Sequence, residues 1–273
     1  MKVVLFCGGA GMRLRGYADD VPKPMVQIGN RPIIWHLMKY YAYFGHKDFI
    51  LCLGYKGNAI KDYFLQYDES VSNDFVWSKG GKKIDYLNRD IDDWTITFVE
   101  TGMNSNIGER LKAVEPHLNG EEIFLANYGD GLTDVSLPAM IEAFRRSNAI
   151  ASLLLVQPTA SFDIVKVSPE GLVTNISALT STDIWINGGF FVLRNEVFRY
   201  LQPGEELVRE PFQRLIRERA LLTYKCNGFW QCMDTFKDKQ RLEELNERTA
   251  PWKVWNHGAG TVANTSEIVP ADL

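Results

Sequence analysis

The segment from Met1 to Met25 constrains the fold more than any other part of the chain. Residues 2–6 (KVVLF) form an apolar, β-branched run that is typical of a buried strand. A glycine-rich segment follows at once, residues 7–14 (CGGAGMRL), and residues 22–25 (PKPM) come after a polar gap. Because glycine has no Cβ, its backbone N–H groups can approach an anion closely. Arg13 and Lys23 can neutralise negative charge beside it, so the segment predicts a phosphate-binding loop.

A tight structural turn remains an alternative at this point, because strands followed by glycine-rich turns are common. The segment has neither the Gly-Lys-Ser/Thr of a P-loop nor the full dinucleotide-binding fingerprint.

The composition is that of a globular protein with a large core. With 273 residues, 45% of them hydrophobic and 23% charged, the chain can bury a full α/β core. Its net charge of -4 argues against a broad nucleic-acid surface.

The sequence also argues against a membrane or secreted protein. No apolar run reaches the length of a membrane span, and Met1-Lys2 leads straight into a strand, unlike a signal peptide. Scattered cysteines in apolar runs are typical of reduced core residues, so we expect a cytoplasmic protein without disulfide or zinc sites. These cysteines are Cys7, Cys52, Cys226 and Cys232.

Strand-like and helix-like runs alternate through the first half of the chain. Strands are predicted at residues 2–6, 48–53, 94–99, 122–126 and 150–156, and helices begin near residues 32, 58, 107 and 137. Short connections between them predict an α/β protein with a Rossmann-like, doubly wound sheet. Ligands bind at the carboxyl ends of such strands. The loops there with suitable chemistry are residues 8–13, 102–110 and 128–131.

The second half changes character. Residues 162–167, 172–176 and 185–193 predict antiparallel or mixed strands, and residues 210–220 and 235–249 predict helices on either side of a strand at 229–235. Residues 67–93 have the appearance of an insertion. We predict one domain over residues 1–255, with a doubly wound first half (1–156), a small β-rich second half (157–250) and a tail (256–273).

Two aspartates stand at the ends of predicted strands. Asp130 lies between two glycines after a buried strand, and Asp234 ends a second apolar strand far along the chain. Mg²⁺ prefers one or two carboxylates together with phosphate oxygens and water. Facing the glycine-rich loop, these aspartates would form a magnesium site. Alternatively, Asp130 makes an Asx turn and Asp234 caps the following helix.

The motifs GGAGMRL and PKPM together resemble the signature of the sugar-1-phosphate nucleotidyltransferases, GGxGTRL followed by PKPM. The resemblance is greatest to the glucose-1-phosphate cytidylyltransferases. Further matches in the same order include residues 32–36 (PIIWH), 54–57 (GYKG), 128–131 (YGDG), 186–191 (INGGFF) and 250–253 (APWK), so it covers residues 1–255. The insertion at 67–93 is similar to one in the cytidylyl branch.

The resemblance implies transfer of CMP from CTP to a phosphorylated acceptor such as glucose 1-phosphate, with Mg²⁺ and release of pyrophosphate. This is an EC 2.7.7 reaction of nucleotide sugar biosynthesis, and the resemblance further implies a homo-oligomer with no nucleic-acid or membrane partner. It gives catalytic roles to Arg13 and to Lys23, which would bridge the α-phosphate and the acceptor phosphate, and it gives the metal to Asp130 and Asp234. It makes residues 1–156 the nucleotide-binding half and residues 157–250 the acceptor-binding half. The implied nucleotide-binding residues are Gly8, Gly9, Gly11, Met12, Arg13, Gly108, Arg110 and Tyr128, with Gly108 and Arg110 beside the cytosine. The implied acceptor-binding positions are Asn187, Gly188, Glu210, Ala178 and Leu179.

The sequence departs from the family pattern in two places. Met12 stands where the signature has Thr, and residues 178–180 (ALT) stand where the family has Glu-Lys-Pro. In the family this Glu contacts sugar hydroxyls and this Lys the sugar phosphate, so Leu179 is not a neutral replacement. We therefore expect an intact donor site and an acceptor that can differ from glucose 1-phosphate. Two alternatives stay open: UTP or dTTP as the donor, and a non-catalytic nucleotide-binding homologue.

Overall fold

A computed structural model describes residues 1–9, 21–159, 162–179 and 183–256. The predicted tail falls almost entirely outside these ranges. The strands are β1 (Lys2–Phe6), β2 (Gln27–Ile28), β3 (Arg31–Pro32), β4 (Asp48–Leu53), β5 (Phe75–Ser78), β6 (Lys83–Tyr86), β7 (Thr95–Glu100), β8 (Ile123–Asn127), β9 (Gly131–Thr133), β10 (Ala151–Val156), β11 (Asp163–Val167), β12 (Val173–Ala178), β13 (Ile186–Arg194), β14 (Leu221–Lys225) and β15 (Trp230–Cys232). The helices are α1 (Ile33–Tyr43), α2 (Gly57–Leu65), α3 (Ile107–Val114), α4 (Leu137–Arg145), α5 (Glu210–Arg217) and α6 (Phe236–Arg248).

Seven strands form one central sheet in the order β14-β10-β13-β8-β1-β4-β7. β1 lies between β8 and β4 and is parallel to both, β7 is parallel to β4, and β14 is parallel to β10. β13 runs antiparallel to β8 and to β10, which makes the sheet mixed. The predicted Rossmann-like mixed sheet is confirmed, and strands from the predicted nucleotide-binding and acceptor-binding halves share it.

The side chains of β1 explain why this strand is central. Successive residues of a strand point to opposite faces. Val3 and Leu5 belong to the apolar core that α1 and α4 cover, whereas Val4 and Phe6 belong to the core on the other face, with residues of α3 and α5. A continuous apolar run is therefore required here, because both faces of the sheet are covered by helices.

The sequence did not predict six of the described strands, namely β2, β3, β5, β6, β9 and β14. The helix expected at 210–220 ends at Arg217, and β14 begins four residues later after Arg219, which has a left-handed φ of 54°. A non-glycine residue seldom adopts this conformation, so the sequence gives little indication of the turn. The short strand β9 was also missed; it pairs with β15 outside the central sheet.

Residues 67–93 form an insertion whose main element is the antiparallel pair β5–β6, and β11 and β12 form a second separate pair. The four cysteines are free, and Cys7, Cys52 and Cys226 are buried, as predicted. Within the described ranges, no helix is long and apolar enough to cross a membrane.

Candidate functional site

A cavity of about 540 Å³ opens at the carboxyl ends of the parallel strands. Phe6 and Cys7 reach it from β1, and Tyr128 reaches it from β8. This is the edge at which doubly wound sheets bind ligands. The lining residues are Phe6, Cys7, Gly9, Lys23, Pro24, Ser105, Asn106, Ile107, Arg110, Tyr128, Asp130, Glu206 and Asp234.

Three charged side chains from distant parts of the sequence meet in this cavity. The Nζ atom of Lys23 lies 2.5 Å from Oδ2 of Asp130 and also contacts Oδ1 of Asp234. The Lys23 and Asp130 side chains are only 14% and 23% exposed, so solvent screens this ion pair less than one at the surface. The predicted convergence of Lys23, Asp130 and Asp234 is therefore present in the structure.

The backbone explains how the two aspartates become neighbours. In the antiparallel pair of β9 and β15, Gly131 lies opposite Cys232, and the Met233 N–H donates to the Asp130 carbonyl over 3.0 Å. The residues just beyond this pairing, Asp130 and Asp234, then lie side by side. Lys23 comes from a short 3₁₀ turn bounded by prolines, in which the Met25 N–H donates to the Pro22 carbonyl.

The structure assigns other residues to the cap of α6 and to the turn after β8. Helix α6 is capped by Thr235, which forms a reciprocal capping box with Asp238, so the interpretation of Asp234 as its cap is wrong. In the turn after β8, the side chain that accepts from the Gly129 N–H is that of Asn127, at 2.8 Å. Both aspartates thus direct a carboxylate oxygen to Lys23.

The positive charge of Lys23 is stabilised by its two carboxylate partners. Burial alone would lower the pKa of Lys23, but Asp130 and Asp234 outweigh it and raise the pKa, so the ammonium stays charged. Burial raises the pKa of Asp130 against the opposing effect of Lys23. Two carboxylates that already share one cation have the donor set that Mg²⁺ takes from a protein, the remaining ligands being phosphate and water. No group of three or more His, Cys, Asp or Glu residues suited to a metal occurs among the described residues.

Arg110 reaches the cavity, but its guanidinium is directed mainly to the backbone. It is 2% exposed and donates to the carbonyls of Gly8 at 3.0 Å, Leu53 at 3.1 Å and Gly102 at 2.9 Å. Gly108 is the second residue of α3, where a Cβ would come within 2.2 Å of the Glu205 carbonyl oxygen. Gly108 therefore permits close packing of α3, and its predicted contact with cytosine stays a prediction.

The predicted acceptor residues lie outside the cavity lining. Asn187 is nearest by contact, because its Nδ2 donates to the Tyr128 hydroxyl over 3.0 Å, and the Gly188 carbonyl accepts from the Trp230 indole N–H at 2.9 Å. Ala178 ends β12, and the Leu179 N–H donates to the Phe162 carbonyl at 2.9 Å. Glu210 begins α5 and lines a different surface cavity together with Arg209 and Arg214.

Some lining residues had no predicted role. Ser105 and Asn106 fall within the loop that we singled out, and Asn106 caps α3 in a capping box with Glu109. That Asn-x-x-Glu pattern is visible in the sequence. Glu206 gave no sequence indication; its carboxylate accepts from the Ile107 N–H at 3.3 Å. Gly11, Met12 and Arg13 lie outside the described residues, so their predicted contacts stay predictions.

The chain is similar to known proteins along most of its length. The family model described as nucleotidyl transferase matches residues 2–235. Glucose-1-phosphate cytidylyltransferases of Salmonella typhi and of Salmonella typhimurium are each 38% identical over 258 residues, which cover 93% of this chain and all of each relative. A crystal structure of UDP-glucose pyrophosphorylase complexed with UDP-glucose has a TM-score of 0.66 at 14% identity, covering 90% of this chain and 98% of that one.

Proposed function

This chain belongs to the nucleotidyl transferase family, and we propose that it transfers CMP from CTP to a sugar 1-phosphate and releases pyrophosphate. The sequence-based family assignment is thereby confirmed. The observation that carries the proposal is the convergence of Lys23, Asp130 and Asp234 in one strand-end cavity. The names of relatives that match along nearly the whole chain support CTP as the donor.

The proposed reaction is an in-line displacement at the α-phosphorus of CTP. A phosphate oxygen of the acceptor forms the new P–O bond as the bond to the bridging oxygen of the β-phosphate breaks, and pyrophosphate leaves with that electron pair. The acceptor phosphate is already an anion, so the step requires no general base. The described lining of the cavity, accordingly, contains no histidine. Orientation and neutralisation of charge are then the main contributions of the protein, and Lys23 is placed to provide positive charge.

The carboxylates of Asp130 and Asp234 are the residues that would hold a divalent cation, for which we propose Mg²⁺. When bound, the cation supplies further positive charge to the triphosphate. Lys23 and the two carboxylates then form a site in which fixed charges of both signs orient the phosphates. Their positions are set by backbone hydrogen bonds of β9, β15 and the proline-bounded turn.

Substitution of Asp130 by Asn tests the metal assignment. We expect Mg²⁺-dependent turnover to fall by about a hundredfold or more, because the amide carries no charge for the cation. Thermal unfolding of the variant should stay near that of the unchanged protein. Asp92→Asn, at an exposed surface pair with Arg89, is the matched control and should retain full turnover. Unchanged turnover of Asp130→Asn would contradict the metal role.

The residues at positions 178 and 179 bear on which sugar 1-phosphate is the acceptor. Ala178 and Leu179 stand where the resembling family has Glu and Lys. Here Ala178 is the last residue of the β11–β12 pair, opposite Asp163, and Leu179 follows it. An alanine and a leucine cannot replace charged contacts to sugar hydroxyls and phosphate. This difference favours a sugar 1-phosphate other than glucose 1-phosphate as a second candidate acceptor.

Pyrophosphate release separates these possibilities. Each of CTP, UTP, dTTP, ATP and GTP is combined with glucose 1-phosphate and with other hexose 1-phosphates, and initial rates are compared. We expect turnover with CTP. Efficient use of glucose 1-phosphate would reject the altered acceptor, and a faster rate with UTP or dTTP would reject the CTP assignment. Nucleotide binding with no turnover on any acceptor would favour the non-catalytic alternative.

We also propose that the protein forms a homo-oligomer. Large apolar side chains are exposed on the β5–β6 and β11–β12 pairs, among them Trp77 at 64% and Ile176 at 63% exposure. Exposed apolar clusters of this kind often mark protein interfaces. Light scattering on a size-exclusion column is expected to give a mass above that of a 31.1 kDa monomer. A monomeric mass at micromolar concentration would contradict the proposal.

A further inference from the structure

Arg110 joins three loops of the site through one side chain. Its Nη2 donates to the Gly8 carbonyl just after β1, and its Nη1 contacts the Leu53 carbonyl at the end of β4. The same Nη1 contacts the Gly102 carbonyl and, at 2.7 Å, the Thr101 hydroxyl, both just after β7. The carboxyl ends of three neighbouring parallel strands, β1, β4 and β7, are thus held by a single guanidinium.

Two glycines provide the space that this arrangement needs. A Cβ on Gly8 would lie 2.0 Å from Nη1 of Arg110, and a Cβ on Gly54 would lie 2.8 Å from the same atom. Neither distance is compatible with van der Waals contact. The sequence predicts that Gly8 lets the backbone approach a phosphate. In the structure, the absence of a Cβ at Gly8 also makes room for the Arg110 guanidinium.

The hydrogen-bonding capacity of Arg110 is largely used within the protein. Four of its five N–H donors are on the two terminal nitrogens, and each of these nitrogens already contacts at least two protein oxygens. No carboxylate lies within ion-pair distance of it among the described residues. A buried guanidinium held by carbonyl dipoles stabilises the loops and adds positive charge at the edge where a triphosphate would bind.

We propose that Arg110 is a positioning residue that fixes the shape of the nucleotide-binding edge by tying together the loops that follow β1, β4 and β7. It acts on the triphosphate through these loops rather than by selecting the base. The inference rests on the proposed function, because it names the ligand of the same cavity, but the arrangement of the loops can be measured without any nucleotide.

The first test compares nucleotide binding by the unchanged protein and by Arg110→Lys and Arg110→Ala. A lysine ammonium cannot span oxygens on three loops, so we expect the affinities for CTP, UTP and dTTP to fall together by about tenfold or more, the effect of losing a charge-assisted hydrogen bond. Added guanidinium should restore binding to Arg110→Ala. Arg194→Lys is the matched control. Arg194 also donates to backbone carbonyls, those of Ala149 and Ser147, but it pairs with Ile123 at the start of β8, at the edge of the sheet opposite the cavity.

A second variant leaves Arg110 in place. Gly54→Ala introduces a Cβ 2.8 Å from Nη1 of Arg110 and 2.8 Å from the Gly8 and Gly102 carbonyl oxygens that accept from this guanidinium, so it should weaken binding of the three triphosphates in the same proportion. Because Gly54→Ala and Arg110→Lys disturb the same hydrogen bonds, their effects should not add in the double variant. Loss confined to CTP would overturn the proposal and identify Arg110 as a base-selecting residue. Full affinity of Arg110→Lys for every triphosphate would also overturn it.

Hydrogen exchange without nucleotide separates this proposal from the proposed function. The Tyr55 N–H donates to the Gly8 carbonyl at 3.1 Å and the Thr101 N–H to the Leu53 carbonyl at 3.0 Å, so both amides report on the tied loops. In Arg110→Lys their exchange should accelerate, whereas in Arg194→Lys it should not. If exchange is faster in Arg110→Lys but the unchanged protein binds no triphosphate, the proposed function is wrong and the role of Arg110 in holding the loops is supported. If exchange in Arg110→Lys is unchanged, the role of Arg110 in holding the loops is wrong.

Discussion

At the scale of single residues, the sequence and the structure differ most in what they say of Lys23 and Arg110. Lys23 was predicted to bridge two phosphates, and in the structure its ammonium lies between the carboxylates of Asp130 and Asp234. The two statements are compatible if the ammonium exchanges partners as anionic substrates and a cation enter. The Lys23 position was identifiable from the PKPM motif. The acceptors of Arg110 are mainly backbone carbonyls, which leave no pattern of side chains in a sequence.

The position of Lys23 predicts how the free protein binds a divalent cation. Lys23→Met removes the ammonium that both carboxylates share, and the exposed like charges should then attract a cation more strongly. We expect Mn²⁺ to bind more tightly to Lys23→Met than to the unchanged protein without nucleotide, as measured by electron paramagnetic resonance titration. Turnover should nevertheless fall by about a hundredfold or more, because a charge at the phosphates is lost.

A second substitution controls for general loosening of the site. Lys239→Met removes a partly buried lysine of α6 that pairs with Glu243 away from the cavity lining, and it should alter neither Mn²⁺ affinity nor turnover. In Lys23→Met combined with Asp234→Asn, the gain in Mn²⁺ affinity should disappear because one ligand is missing. Equal or weaker Mn²⁺ binding by Lys23→Met would show that the ammonium does not compete for the carboxylates.

At the scale of elements, local patterns determined how well each part could be predicted. β1 and β4 were located from apolar, β-branched runs, and α3 and α6 begin at or within one residue of their predicted starts. β14 was not predicted because the turn that separates it from α5 depends on Arg219 in a left-handed conformation rather than on glycine or proline. The pairing of β9 with β15 was not predicted because it joins residues about a hundred positions apart and depends on tertiary contacts.

The cap of α6 connects helix stability to the site. The Thr235 hydroxyl accepts from the Asp238 N–H at 3.2 Å, and the Asp238 carboxylate accepts from the N–H groups of Thr235 at 2.8 Å and Asp234 at 3.1 Å. Thr235→Ala should therefore lower the free energy of unfolding by about 1 kcal/mol, the usual cost of losing an N-cap. Urea unfolding measures it, and Thr235→Ser should restore stability. An unchanged midpoint for Thr235→Ala would contradict the role of this cap.

At the scale of the whole molecule, the end of the described chain packs on its beginning. The Trp252 indole N–H donates to Nδ1 of His36 at 3.3 Å, and Nε2 of His36 contacts the Ile28 carbonyl at 2.9 Å. His36 and Trp252 are buried, and their rings meet nearly at right angles. The sequence indicated an apolar helix around His36 and two tryptophans near residue 255, but not that they meet, because the pairing spans 216 positions.

This contact predicts a loss of stability in acid. Burial lowers the pKa of His36 to about 4, with Lys253 and Arg31 adding to the effect while the Ile28 carbonyl opposes it. An unfolded histidine has a pKa of about 6.5. Between these values the unfolded chain binds more protons, so the free energy of unfolding should decrease as the pH falls from about 6.5 towards 4. The contribution of His36 is on the order of 3 kcal/mol, fully present above this window and lost below it.

Urea unfolding at several pH values isolates this contribution when His36→Gln is compared with the unchanged protein. The variant should be less stable near pH 7.5, and the difference should shrink towards pH 4.5, because carboxylates that titrate in acid contribute equally to both proteins. Trp252→Phe keeps an aromatic ring but removes the N–H donor, so Nδ1 of His36 becomes easier to protonate and the pH dependence should weaken. A constant difference between the two proteins across the window would show that His36 is not held neutral by this packing.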